Sequence, residues 1–102
     1  MIARIWRGIA GSSTDADAYS RHVTGKVLPS LAAIPGHRGA RILRRAEAGR
    51  IEFLVITFWV SMESIRKFAG EAADSAVVEP EARAVLIEYD DFVRHYEVAH
   101  DG

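Results

Sequence analysis

FLVITFWVS, residues 53–61, carries no charged side chain, and its only polar residues are Thr57 and Ser61. In a strand the side chains alternate, so Phe53, Val55, Thr57 and Trp59 share one face while Leu54, Ile56, Phe58 and Val60 share the other. Both faces are apolar. A strand of this kind is covered on both sides, and the cover has to be found elsewhere in a chain of 102 residues.

The neighbouring segments supply one layer. Residues 38–46 (RGARILRRA) and 51–60 (IEFLVITFWV) flank Ala48-Gly49, a short glycine-containing connection that closes a β-hairpin. Ser61 is placed to cap a helix that carries Ile65, Phe68 and Ala69 on one side and stops at Gly70. Upstream, residues 1–9 read as a strand ended by Gly11-Ser12-Ser13. A helix follows, capped by Ser13 or Thr14, with Asp15 and Asp17 near its positive end and Tyr19, Val23, Val27 and Leu31 along one apolar stripe. Pro29 predicts a kink or restart near Leu28, and Pro35-Gly36 the end. Downstream, residues 71–88 read as helical but broken, with Pro80-Glu81 restarting a helix, and Phe92–Val98 reads as a last strand.

The order is β-α-β-β-α-β, one α+β domain over residues 1–102 with a ferredoxin-like, antiparallel four-stranded sheet and both helices on one face. Two helices cover one side only. The face of Leu54, Ile56, Phe58 and Val60 is left as an apolar patch of the kind that marks association, so the expectation is a homodimer with sheets packed face to face, a dimeric α+β barrel.

Composition narrows the function. No apolar run approaches the ~20 residues of a membrane span, and the N-terminal MIARIWRGIA has Arg4 and Arg7 inside its apolar stretch, unlike a signal peptide. With no cysteine there is no disulfide framework or thiolate chemistry, and a cytoplasmic location is expected. A net charge of −1 argues against nucleic acid or an anionic membrane as the main partner. RNA-binding modules share this strand order, but Arg50-Ile51-Glu52-Phe53 lacks their basic-glycine-aromatic pattern. No zinc, Walker or dinucleotide motif is present. Arg38, Arg41, Arg44, Arg45 and Arg50 decorate the hairpin, as alternate positions of a solvated strand or as an anion patch.

The stretches MIARIWRG, FLVITFWVSMESIRKFAG and VRHYEV together resemble the antibiotic biosynthesis monooxygenase family of dimeric α+β barrels, nearly end to end. The resemblance implies a homodimer with one pocket per subunit between sheet and helices. It also implies oxidation of a small aromatic or polyketide-like compound by oxygen, with no metal, flavin or other cofactor, in one branch, and haem degradation in another. In the quinone-forming branch the tryptophan corresponds to Trp59, the strand asparagine to Val55 and the helix tyrosine to Ile65. In the haem-degrading branch the first-strand asparagine falls on Arg7, the helix tryptophan on Phe68 and the haem-ligating histidine near Val78.

The candidate site follows. Val55, Thr57, Ile65, Phe68 and Tyr19, with His22 at the edge, form an apolar pocket for a flat ligand. Trp59 either packs in the core or stacks on that ligand. Ala3, Ile5 and Arg7 share a strand face that the resemblance turns toward the pocket, where Arg7 pairs with a carboxylate, sits at an exposed strand end or steadies a ligand anion. His95, in Arg94-His95-Tyr96, is the candidate base for deprotonating a phenol, or else a hydrogen-bonded structural histidine. The rival to an oxygenase is a non-catalytic small-molecule-binding or stress-associated barrel, and a third reading is an isomerase or lyase that uses His95 as a proton shuttle without oxygen.

Overall fold

The computed structural model describes residues 1–102. Strand β1 (Ile2–Ala10) leads to helix α1 (Ser13–His22), a π-helical turn (Val23–Val27) and helix α2 (Leu28–Ala32). The hairpin β2 (His37–Glu47) and β3 (Arg50–Trp59) comes next, then α3 (Met62–Ala69), α4 (Pro80–Val85), and the short strands β4 (Glu88–Tyr89) and β5 (Arg94–Glu97). The fold is α+β and ferredoxin-like, with an antiparallel sheet in the order β2-β3-β1 and both β4 and β5 against the free edge of β1.

Local chemistry accounts for most of these boundaries. Ala48 and Gly49 both have positive φ, 53° and 78°, the twist a two-residue hairpin turn requires. Ser12, one residue earlier than expected, caps α1 by accepting from the Asp15 N–H. Ser61 and Ser64 form a reciprocal capping box at α3. The break foreseen near Leu28 is the π turn, where the Leu28 N–H reaches back to the Val23 carbonyl and the chain restarts ahead of Pro29.

Two expectations fail. Residues 71–79 form no helix. The segment lies against the sheet because Arg4 donates to the Ala73 and Ser75 carbonyls, Ala76 N–H bonds Asp91 O, and Val93 N–H bonds Asp74 O. Pro80 also holds Glu79 extended, at ψ 155°. The fourth-strand position is filled by two pieces instead of one run from Phe92 to Val98, which makes the sheet five-stranded. Between the pieces the chain leaves the ladder: Asp90 O accepts from the Trp6 indole N–H, and Phe92 is turned outward, 68% exposed.

The register sorts the two faces. Arg4 lies opposite Thr57 and His95, and Trp6 opposite Val55, so the even residues of β1 and the odd residues of β3 face the helices. One apolar cluster gathers Tyr19, Val23, Phe53 and Leu86, and a second gathers Leu31, Trp59, Ile65 and Ala73. The opposite face carries Leu43, Leu54, Ile56, Phe58 and Tyr96 with no helix over it. No helix is long and apolar enough to cross a membrane.

Candidate functional site

A cavity with an empty volume of about 590 Å3, its open mouth included, lies between the helix face of the sheet and the helices. Its floor is the row Trp6, Val55, Arg4 and Thr57. Helix α1 and the π turn form one wall with Tyr19, His22, Val23 and Val27, α3 contributes Phe68, and Val77, Val78 and Glu79 close the far side. The lining is mostly apolar, the usual character of a site for a small aromatic molecule.

Each wall has a local cause. Gly8 stands beside the Trp6 ring: a Cβ there would sit 2.7 Å from the indole Cη2, so only glycine lets the ring lie over this strand. Tyr19 packs at 4.8 Å from the Phe53 ring centroid and 6.1 Å from that of Trp6, and burial pushes its phenol well above the ordinary range. At the mouth Lys26 pairs with Glu81 and, at 3.4 Å, with Glu79, tying the π turn to the start of α4.

Arg4 is the charged group of the floor, 4% exposed. Its Nη1 donates to Ala73 O at 2.6 Å and to His95 Nε2 at 3.0 Å, and its Nη2 donates to Ser75 O at 2.9 Å. The Phe68 ring centroid lies 5.6 Å from the guanidinium carbon. Burial lowers the Arg4 pKa to about 10, against the pull of Asp74. Behind it His95 Nδ1 lies 3.1 Å from Asp74 Oδ1. Because Nε2 accepts from Arg4, the ring proton belongs on Nδ1, donated to Asp74. His22 differs: its Nε2 is buried at the cavity wall with no hydrogen-bond partner.

Of the residues singled out in the sequence, Tyr19, His22, Val55, Thr57 and Phe68 line the cavity. Trp59 and Ile65 do not. Both are fully buried in the second cluster, where the Trp59 indole N–H donates to Thr57 Oγ1 at 2.9 Å and the ring stacks 6.0 Å from Phe68. Arg7 lies on the opposite face of the sheet, where it is ion-paired with Glu52 and, at 3.4 Å, with Glu88. The expectation that its face meets the pocket is wrong by one residue of strand register. His95 lies behind Arg4 and outside the lining, its Nε2 lone pair already engaged. Among the lining residues that the sequence reading did not assign to the pocket, Arg4 and Trp6 form part of the floor. The signal was present in the alternation Arg4, Trp6, Gly8, where a glycine two positions after a tryptophan leaves space for the ring.

No protein-family model matches the sequence, and no curated protein matches it. Solved structures do match over essentially the whole chain. The haem degrader MhuD from Mycobacterium tuberculosis, described with two haems in its active site, is 19% identical at a TM-score of 0.67, covering 100% of this chain and 99% of its own. SnoaB, a cofactor-independent oxygenase from Streptomyces nogalater, is 13% identical at a TM-score of 0.62 (98% and 94% covered). A Bordetella bronchiseptica protein provisionally classed as an antibiotic biosynthesis monooxygenase is 16% identical at a TM-score of 0.59 (97% and 97%). The chain therefore has the fold of the antibiotic biosynthesis monooxygenases; at these identities the likeness is one of fold.

Proposed function

We propose that this protein is a cytoplasmic homodimer that binds a small aromatic or polyketide-like molecule in the cavity and oxidises it with molecular oxygen, using no metal or flavin. The observation that carries the reading is the mostly apolar cavity with the unpartnered His22 imidazole on its wall. His22, on the lining with an Nε2 that no protein group engages, takes a proton from an anthrone- or phenol-type substrate in place of His95, its ring turning to present that nitrogen as the substrate enters. The resulting anion passes one electron to oxygen. Radical and superoxide combine in a new C–O bond to give a peroxide, which takes back the first proton from His22; loss of the remaining hydrogen of that carbon as a proton, with cleavage of the O–O bond, leaves a carbonyl on the substrate and releases the other oxygen atom as water. The fold shared with SnoaB supports this chemistry.

Haem does not suit these residues. The wall formed by Val77 and Val78, where the resemblance places the haem-ligating histidine, offers no imidazole.

The homodimer rests on the uncovered sheet face. Leu43, Leu54, Ile56, Phe58 and Tyr96 form an apolar field flanked by Arg41 and Arg94, suited to a second copy of the same surface.

Oxygen uptake above the enzyme-free rate with dithranol and with 1-naphthol tests the enzyme reading. Wild type is expected to consume oxygen, and His22→Gln to lose at least about tenfold in kcat, as removal of a general base does. Absence of uptake for every compound that binds would leave the non-catalytic binding barrel, which the valine and isoleucine at positions 55 and 65 favour by replacing the asparagine and tyrosine of the quinone-forming branch.

A further inference from the structure

Arg4 is a buried cation whose partners are neutral. Of the five N–H donors of a guanidinium, three are used, on the Ala73 and Ser75 carbonyls and on His95 Nε2. The nearest acid in this group, Asp74, spends its contact on His95, two bonds removed from the guanidinium, and its side chain is largely in solvent. The arrangement is unlike that of Arg7, which has two carboxylates. A positive charge withdrawn from water without an anion is costly, and the cost falls when an anion enters the same low-dielectric space. The group borders the cavity floor, and the three neutral acceptors hold its plane fixed, so little ordering is left to a ligand.

We propose that Arg4 is the anion anchor of this cavity, and that the molecule held there is an aromatic compound with an anionic oxygen, a carboxylate or an ionised phenol, at the edge that meets the sheet. His95 and Asp74 are positioning residues for Arg4. The ring flanks are held by Trp6 and Tyr19, and the far edge of the ligand reaches the unpartnered imidazole of His22. This inference rests on the cavity being the ligand site, but not on oxygen chemistry.

The test uses two isosteric probes, 2-naphthoate and 2-naphthamide, titrated calorimetrically into the full chain. Wild type is expected to bind the carboxylate at least about tenfold more tightly, the scale of one charge-assisted contact. The preference should fall to within about twofold in Arg4→Gln and persist in Arg7→Gln, whose charge lies on the other face. Arg4→Gln also loses its hold on the Ala73 and Ser75 carbonyls, so a second measurement needs no variant: bound 4-nitrophenol should ionise, by its absorbance, at a lower pH than the free compound. Equal affinity for the two probes in wild type, a preference that survives Arg4→Gln, or an unshifted nitrophenol titration would each overturn the proposal. Oxygen uptake without charge preference would refute the anchor and keep the oxygenase; charge preference without uptake would do the reverse, and failure of both probes to bind together with absence of uptake would remove both.

Discussion

The Arg4 guanidinium donates from Nη1 to His95 Nε2 across 3.0 Å, joining the first strand to the last on the helix side of the sheet. This bond sets the tautomer of His95 and removes its lone pair from chemistry. Protonating His95 would point an N–H at a cation, and burial together with the Arg4 charge holds the imidazole below its ordinary range, with Asp74 opposing.

Stability should therefore fall in mild acid. The unfolded His95 takes up a proton near pH ~6.5, whereas the folded one resists until lower pH, so its contribution is complete above the unfolded value and is lost as pH falls toward the folded one. Burial lowers His37 in the same direction. Urea midpoints measured from about pH 7.5 to 5.5 should decline in wild type, less steeply in His95→Gln, and least when His37 is replaced as well. A slope unchanged by His95→Gln would refute this account.

Trp6 and Trp59 should separate by spectroscopy. Trp6 lines the cavity and Trp59 is sealed in the second cluster. Saturating 2-naphthoate is expected to quench wild-type tryptophan emission, and Trp6→Phe should abolish most of that response. Trp59→Phe should keep it and cost roughly 1–3 kcal/mol of stability, from the lost indole bond to Thr57 and the volume removed.

Gly36 should prove irreplaceable where Gly25 is not. At φ +94° a Cβ on Gly36 would lie 2.4 Å from Ser64 Cβ, inside the α3 cap, and Gly36→Ala is expected to cost roughly 2–4 kcal/mol. Gly25 lies in the π turn with nothing within 4 Å of its would-be Cβ, so Gly25→Ala should be neutral or stabilise by up to about 1 kcal/mol. Thermal melts of the pair decide it.

Dimerisation should depend on the open sheet face. Ile56 lies opposite Ile5 and Arg41, so Ile56→Glu places its charge beside an arginine that tolerates it in a lone subunit but not between two apolar sheets. Sedimentation velocity at micromolar concentration should show dimeric wild type and a folded monomeric variant. A monomeric wild type would remove the dimer from the proposal.

The βαββαβ order, the hairpin turn at Ala48-Gly49, the Ser61 cap and the helix break ahead of Pro29 were legible in the sequence alone, because each is a local matter of side-chain period, φ preference or a missing N–H. The side of β1 that meets the helices was not. Ala3, Ile5 and Ile9 are as apolar as Ile2, Trp6 and Ala10, so a period of two sorts the residues into faces without saying which face is covered. Nor was the path of residues 71–79, since the bonds that hold it join Arg4 to Ala73, Ser75 and His95 across 69, 71 and 91 residues of chain. Only the assembled sheet brings those groups together, and so only the tertiary structure moved the buried charge of the candidate site from Arg7 to Arg4.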